Sequence, residues 1–201
     1  MKFLPDDKQP KPYYTCVHKY VGEIDLSEGL VDVSDPCYDR STVCAKFDVK
    51  IKSGKYKCYI NTANFPYKGR CEEDDSEVLS GKKKVNQLVT HNDKRIVTLI
   101  IEHENIKHSL KVNEDAWECI SQDIGVDAGM CGFYHNKPDF DDDNSWTDFW
   151  QNAKHLPGNR WLTCDIKPYG VTVSSGFGDG VYPLYQYKED GEVVALKVEF
   201  A

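Results

Sequence analysis

Residues 181–200 read VYPLYQYKEDGEVVALKVEF, and this stretch predicts a β-hairpin. In its second half the apolar residues Val194, Leu196 and Val198 stand at every second position, which is the period of a strand with one buried face. The two halves are separated by residues 188–191, which contain the pair Asp190-Gly191. Because such a pair accepts the positive φ angles of a tight turn, we expect two antiparallel strands here.

The same alternation recurs along the chain and predicts a β-rich fold. A second hairpin is expected from Val43 to Ile60, with its turn at Ser53-Gly54. A turn is expected at Asp35-Pro36, since the residue before a proline is pushed out of the helical region. Further strands are predicted at Leu30–Val33, Ile96–Glu102, His108–Val112, Val126–Tyr134 and Gly170–Ser174.

Two short helices are also predicted, each after a capping residue. Asn113 would cap a helix over Glu114–Asp123, and Ser145 would cap another over Trp146–Ala153. We therefore expect an α+β, mainly β fold, namely an antiparallel sheet or sandwich-like β domain with two short helices packed on it. The whole of residues 1–201 is expected to be one domain, with an N-terminal arm over 1–18.

Residues 65–87 lack a sustained period. They carry five acidic residues between 72 and 77 and then three consecutive lysines at 82–84. Opposite charges at this spacing are typical of a solvated surface loop, so this segment is predicted to be a mobile surface insertion.

Composition narrows the possible partners and compartments. The chain has 25 basic and 33 acidic residues, a net charge of −8, which weighs against nucleic-acid binding. The apolar start Met1-Lys2-Phe3-Leu4 is too short for a secretory signal, and no stretch is long enough to span a bilayer. We expect a cytoplasmic protein that does not bind membranes, with its eight cysteines mostly reduced.

The acidic residues are concentrated in one part of the sequence. Between Glu114 and Asp148 there are ten acidic residues and one basic residue. If these side chains face outward, they form an acidic surface that would attract a basic protein partner.

Within this part, Asp139, Asp141 and Asp143 have the spacing with which calcium loops supply oxygen ligands. The pattern then fails, because Trp150 stands where the bidentate glutamate would be. Three readings stay open: an acidic loop before a helix, a weak site for calcium or magnesium, and a catalytic metal site. No other cofactor is expected.

A glycine-rich segment, Ser175-Gly176-Phe177-Gly178-Asp179-Gly180, lies between two predicted strands. Glycines at alternate positions allow a backbone that a ligand can approach, although a tight connection between the two strands is the favoured explanation. The candidate ligand-binding residues are Asp127, Gly176, Gly178, Asp179, Gly180 and Tyr182. No catalytic residue is predicted, because no nucleophile and base stand at a recognisable spacing.

Three short segments, together with the stretch Val21–Leu26 and Gly29, resemble one family. They are Asp35-Pro36, then Val126-Asp127-Ala128-Gly129, and then Ser175-Gly176-Phe177-Gly178-Asp179-Gly180-Val181-Tyr182-Pro183, and they occur within a resemblance running from about Tyr20 to Phe200. They resemble the mainly bacterial domain of unknown function family 4241. The resemblance implies a single cytosolic domain and no particular activity.

Two kinds of function therefore remain open. The first is a binding or regulatory module, of immunity type or anti-defence type, whose acidic face covers a basic partner. The second is a hydrolase assisted by a divalent metal, or a small-ligand-binding protein, that uses the glycine-rich segment and the aspartates. The second kind of function is favoured if Asp127 and Asp179 lie close together in the folded protein.

Overall fold

Alternating apolar and polar residues form eleven strands in a computed structural model that describes residues 17–71, 76–107, 116–135, 162–167 and 170–201. In these ranges the only α-helical element is one turn, α1 (Ser76–Leu79). In chain order the strands are β1 (Val17–Leu26), β2 (Leu30–Ser34), β3 (Lys46–Lys50), β4 (Gly54–Arg70), β5 (Leu88–His103), β6 (Glu118–Val126), β7 (Met130–Tyr134), β8 (Cys164–Lys167), β9 (Gly170–Ser174), β10 (Gly180–Glu189) and β11 (Glu192–Glu199).

The strands form two antiparallel sheets. The six-stranded sheet has the order β1-β4-β5-β11-β10-β6, and the five-stranded sheet has the order β3-β2-β7-β9-β8. Apolar residues from both sheets form one core cluster, in which Leu26, Phe133 and Leu184 are completely buried. This sandwich-like arrangement confirms the predicted mainly β, antiparallel fold class.

The C-terminal hairpin is confirmed. Strands β10 and β11 pair from Leu184 with Val198 to Glu189 with Glu192. Asp190 and Gly191 have φ angles of 52° and 86°, so both turn residues use the left-handed conformation that hairpin turns of this type need.

The expected hairpin between Val43 and Ile60 is wrong, because its two strands lie in different sheets. Strand β3 pairs with β2, whereas β4 pairs with β1 and β5. The connection between them crosses from one sheet to the other. It is held by hydrogen bonds from the Ile51 amide to the Gly29 carbonyl, 3.0 Å, and from the Lys52 amide to the Val193 carbonyl, 2.8 Å.

The helix expected over Glu114–Asp123 is also wrong over its described part. Residues from Glu118 onward form β6, which pairs with β10. Pairing with a neighbouring strand outweighs a short helical pattern, because helix propensity is a weak preference. The single strand expected over Val126–Tyr134 is divided at 127–129, where the chain passes from β6 in one sheet to β7 in the other. The strand expected at His108–Val112 and the helix at Trp146–Ala153 lie outside the described residues.

Strands β4 and β5 extend beyond their neighbours as a two-stranded ribbon. They pair as far as Arg70 with Leu88, whereas β1 reaches only Thr62 on one side and β11 only Thr98 on the other. The irregular segment therefore begins after Arg70, which corrects the expected start at Phe65. We call residues 63–71 and 78–96 the arm, and residues 78–88 the arm tip.

Cys58 and Cys164 are buried free thiols. Burial raises the pKa of the Cys164 thiol to about 12, and the nearby Asp165 carboxylate adds to this effect. The Cys58 thiol is completely buried, which also raises its pKa. Both thiols are consequently protonated at neutral pH and are poor nucleophiles.

The buried Cys164 thiol predicts a loss of stability in alkaline solution. Above about pH 8.5 the unfolded chain ionises this thiol while the folded protein keeps its proton, so the free energy of unfolding falls as the pH rises. Between pH 8 and pH 10 urea unfolding of Cys164→Ala should therefore lose about 2 kcal/mol less than the wild type does. Cys119→Ala, which removes an exposed thiol, is the control; equal losses in all three proteins would contradict the prediction.

None of the helices in the described ranges has the length and apolarity that crossing a membrane requires.

Candidate functional site

The three segments that carry the family resemblance lie together in the fold. Asp35-Pro36 follows β2, residues 127–129 connect β6 to β7, and residues 175–179 connect β9 to β10. Their strands are neighbours, since β7 pairs with both β2 and β9, and β6 pairs with β10. We call residues 35–38, 127–129 and 175–180 the signature loops.

The Asp35 carboxylate joins the first two signature loops. The Asp35 side chain is completely buried. Its Oδ1 accepts a hydrogen bond from the Cys37 amide at 2.7 Å. Its Oδ2 accepts hydrogen bonds from the amides of Asp127, at 2.8 Å, and Ala128, at 2.7 Å. Three backbone donors thus converge on one carboxylate, which is the arrangement that satisfies a buried charge.

The second and third signature loops are joined through the backbone. The Ser175 amide donates to the Gly129 carbonyl at 3.0 Å. A Cβ added to Gly129 would lie 3.8 Å from Gly178 Cα and 4.0 Å from an Asp179 carboxylate oxygen. Asp127 and Asp179 therefore stand on adjacent, hydrogen-bonded loops. The sequence resemblance alone could not predict that these two loops are adjacent.

The glycine-rich loop is closed by its own hydrogen bonds. The Gly178 amide donates to the Ser175 carbonyl, while the Ser175 hydroxyl donates to the Gly178 carbonyl, both at 2.8 Å. The Tyr182 hydroxyl also reaches the Gly178 carbonyl, at 2.7 Å. Burial raises the pKa of the Tyr182 phenol, so it remains a donor at neutral pH. These polar groups hold the loop in shape.

The glycines of this loop have distinct roles. Gly176 has a φ of 53° and lies against Phe200, where an added Cβ would come within 2.9 Å of the Phe200 Cβ and carbonyl oxygen. Gly178 has a φ of 110° and no atom within 4 Å of such a Cβ. Gly176 and Gly178 thus adopt positive φ angles, whereas Gly180 begins strand β10.

Two side chains that the sequence analysis did not select also hold the signature loops. The Tyr38 hydroxyl donates to Asp127 Oδ2 at 2.8 Å, and burial together with this bond raises the pKa of the phenol. The Arg95 guanidinium lies 5.4 Å from the centre of the Phe177 ring, and its Nη1 is 3.4 Å from the Gly176 carbonyl. Neither contact has a sequence signal, because both partners are far apart in the chain.

Several exposed side chains around the signature loops are acidic. Asp123, Asp127 and Asp179 are all exposed. Within the described ranges none of them has an ion pair, in contrast to Glu118, which lies 3.2 Å from the Lys188 ammonium. We call these three carboxylates the acidic face. The Asp127 amide is fixed by its hydrogen bond to Asp35, Asp123 lies in strand β6, and Asp179 directly follows Gly178 of the closed glycine-rich loop. The three carboxylates therefore present negative charge from ordered parts of the fold.

The proposed metal ligands Asp139, Asp141 and Asp143 lie outside the described residues. In the ranges that are described, no three His, Cys, Asp or Glu side chains are grouped so that they could hold a metal ion. Calcium and magnesium require about six oxygen ligands, of which Asp127 and Asp179 would supply only part.

Three aromatic residues of the glycine-rich loop and strand β10, namely Phe177, Tyr182 and Tyr185, have different neighbours. The Tyr182 ring packs edge-on against Phe200 with centroids 5.2 Å apart, and the Phe177 ring packs against Phe65 at 4.9 Å. The Tyr185 ring lies 4.5 Å from the Lys197 ammonium. Each ring therefore helps to pack a separate part of the fold, and a role for Tyr182 in ligand binding stays a prediction.

Two antiparallel sheets and a set of hydrogen-bonded loops beside an acidic surface define a β-sandwich-like domain. The chain belongs to the family described as protein of unknown function (DUF4241), which matches residues 24–198. No curated protein and no solved structure matches it.

Proposed function

We propose that this protein is a binding module and that its acidic face receives a basic segment of a partner protein. The observation that carries the proposal is the group of exposed carboxylates, Asp123, Asp127 and Asp179, without ion pairs in the described ranges. Charges at fixed positions steer a partner of opposite sign and select its orientation. An immunity-type or anti-defence protein would use such a face to cover a basic surface.

The hydrogen bonds of the signature loops support binding over catalysis. The polar groups of Asp35, Ser175 and Tyr182 are bound to neighbouring backbone atoms, which leaves them engaged in holding the loops. A nucleophile in a hydrolase would instead need a base within hydrogen-bond distance. Among the described histidines, His103 is hydrogen-bonded to backbone atoms. Its Nε2 donates to the Ser53 carbonyl, and its Nδ1 accepts from the Asn105 amide.

The test compares two variants of equal charge. In the first, Asp123→Asn, Asp127→Asn and Asp179→Asn are combined; in the second, Glu23→Gln, Glu104→Gln and Glu192→Gln remove three exposed carboxylates elsewhere. The probe is a fluorescent peptide of alternating lysine and leucine, with binding followed by fluorescence anisotropy at low salt. We expect the first variant to weaken binding about tenfold, or about 1.4 kcal/mol, and the second less than twofold.

Two outcomes would contradict the proposal. One is that the wild type does not bind the peptide at low salt. The other is that both variants weaken binding equally, since the attraction would then come from net charge alone and not from the acidic face.

A further inference from the structure

Two exposed valines lie beside the acidic face. Val43 and Val181 are 94% and 63% exposed. The Gly125 amide donates to the carbonyl of Cys44 at 2.7 Å, which places the residue after Val43 against the edge of β6. On its other side Gly125 is the strand partner of Val181 in β10. Val43 and Val181 therefore lie on opposite sides of Gly125.

The side chain of Cys44 lies over Gly125. A Cβ added to Gly125 would come within 2.7 Å of Cys44 Sγ and 3.4 Å of the Tyr38 hydroxyl. Because both chain neighbours of Gly125 are buried in the core, these groups lie on the outer face of β6. An apolar strip thus crosses β6 at this glycine. We call Val43, Cys44 and Val181 the apolar row.

Two carboxylates of the acidic face stand on either side of the apolar row. Asp123 and Asp127 come two residues before and two residues after Gly125, and alternation along an extended chain places all three on the outer face. The Tyr38 hydroxyl beside Gly125 is the group that donates to Asp127. Four residues of extended chain separate the two carboxylates by about 13 Å, with the apolar row midway between them.

The negative charge of this surface persists when the whole sequence around it is counted. From Glu114 to Asp148, including the residues outside the described ranges, there are ten acidic residues and one basic residue. The loop at 35–45 has one basic residue, Arg40, whose guanidinium pairs with Asp32 at 2.7 Å and with Asp48 at 2.6 Å. The surface therefore attracts positive charge on both sides of an apolar centre.

From this arrangement we infer that the segment received by the acidic face is extended and carries one apolar residue with a lysine or arginine two positions away on each side. This inference rests on the proposed function and specifies the partner's segment. Residues two apart in an extended chain lie on one side, about 7 Å from each other. The two basic side chains then reach Asp123 and Asp127 while the apolar side chain covers the apolar row. Charge orients the segment, and apolar burial adds affinity.

Three peptides of equal charge test this pattern. The centred peptide is Gly-Lys-Thr-Leu-Thr-Lys-Gly. The shifted peptide, Gly-Lys-Leu-Thr-Thr-Lys-Gly, has the same composition but turns its leucine to the opposite side of an extended chain. The third, Gly-Lys-Thr-Thr-Thr-Lys-Gly, has no leucine. All three have blocked termini, and binding to the full chain is followed at low salt by NMR chemical-shift titration.

We expect the centred peptide to bind about fivefold more tightly than the other two, the factor that corresponds to burying about 40 Å² of apolar surface. Its addition should shift the amide signals of Asp123, Gly125 and Val181, which surround the proposed contact.

A variant that combines Val43→Ser with Val181→Ser removes the apolar row's valines and keeps the carboxylates. We expect it to bind all three peptides equally, within about twofold, and as weakly as the wild type binds the peptide without leucine. The control combines Leu79→Ser with Leu88→Ser, which removes two exposed side chains at the arm tip. The control should keep the wild-type preference for the centred peptide.

Equal affinity of the wild type for the centred and shifted peptides would overturn the inference. A preference that survives in the variant without the two valines would also overturn it, since the leucine would then bind elsewhere. If either result is found while binding of the alternating lysine and leucine peptide still depends on the acidic face, the proposed function stands and the inferred pattern alone is wrong. If the wild type binds none of the peptides, both fail.

Discussion

Replacing Asp35 by asparagine is expected to lower the free energy of unfolding by about 3 kcal/mol. The buried Asp35 carboxylate accepts hydrogen bonds from the amides of Cys37, Asp127 and Ala128. An asparagine side chain keeps one acceptor oxygen and directs an NH2 group toward the remaining donors. At least one buried donor is then left without an acceptor, which costs much more than the loss of an average hydrogen bond.

The measurement is urea unfolding followed by circular dichroism, with Asp39→Asn as the matched control. Asp39 lies in the same loop and also accepts a backbone hydrogen bond, from the Ser41 amide at 2.7 Å, but it is exposed. Its replacement should cost less than about 1 kcal/mol. Equal losses in the two variants would contradict the role given to burial of Asp35.

Replacing Gly176 by alanine is also expected to cost about 3 kcal/mol. Two effects add. The φ of 53° disfavours any residue with a Cβ, and that Cβ would come within 2.9 Å of Phe200 atoms. Since a carbonyl oxygen is one of these atoms, relief requires a backbone shift at the end of β11.

Gly81→Ala separates the two effects. Gly81 has a φ of 72°, but no atom lies within 4 Å of a Cβ added there. It should therefore cost only about 1 kcal/mol, the strain of the left-handed conformation. The measurement is again the midpoint and slope of urea unfolding. If Gly176→Ala costs no more than Gly81→Ala, the glycine-rich loop is not packed against Phe200 as described.

Local chemistry explains which parts of the fold were predictable. The C-terminal hairpin follows from alternating residues on both sides of Asp190-Gly191, whose turn geometry makes the two strands partners. The strands from Val43 to Ile60 alternate equally well, yet they pair with other strands. Alternation defines a strand and its buried face, but the choice of partner depends on contacts that are distant in sequence.

The wrong helix has a comparable origin. Ile120 and Ile124 are four residues apart, a spacing that suits a helical face and also suits one face of a strand. In a short segment the two periods cannot be told apart, and pairing with β10 decides the outcome.

The candidate site was predictable only in part. The glycine-rich segment and Asp127 were selected from the sequence, and the resemblance grouped them with Asp35-Pro36. The hydrogen bonds that connect them, as well as the contacts of Tyr38 and Arg95, join residues more than forty positions apart. No local pattern encodes such contacts, because they arise from the packing of two sheets.

The most direct test of this account is amide hydrogen exchange at Asp127 and Ala128, measured by NMR in the wild type and in Asp35→Asn. If the Asp35 carboxylate holds the signature loops together, both amides exchange slowly in the wild type although Asp127 is an exposed residue. In Asp35→Asn they should exchange much faster, while core amides such as Leu196 keep their relative protection. Fast exchange of both amides in the wild type would contradict the central claim that Asp35 holds these loops in place.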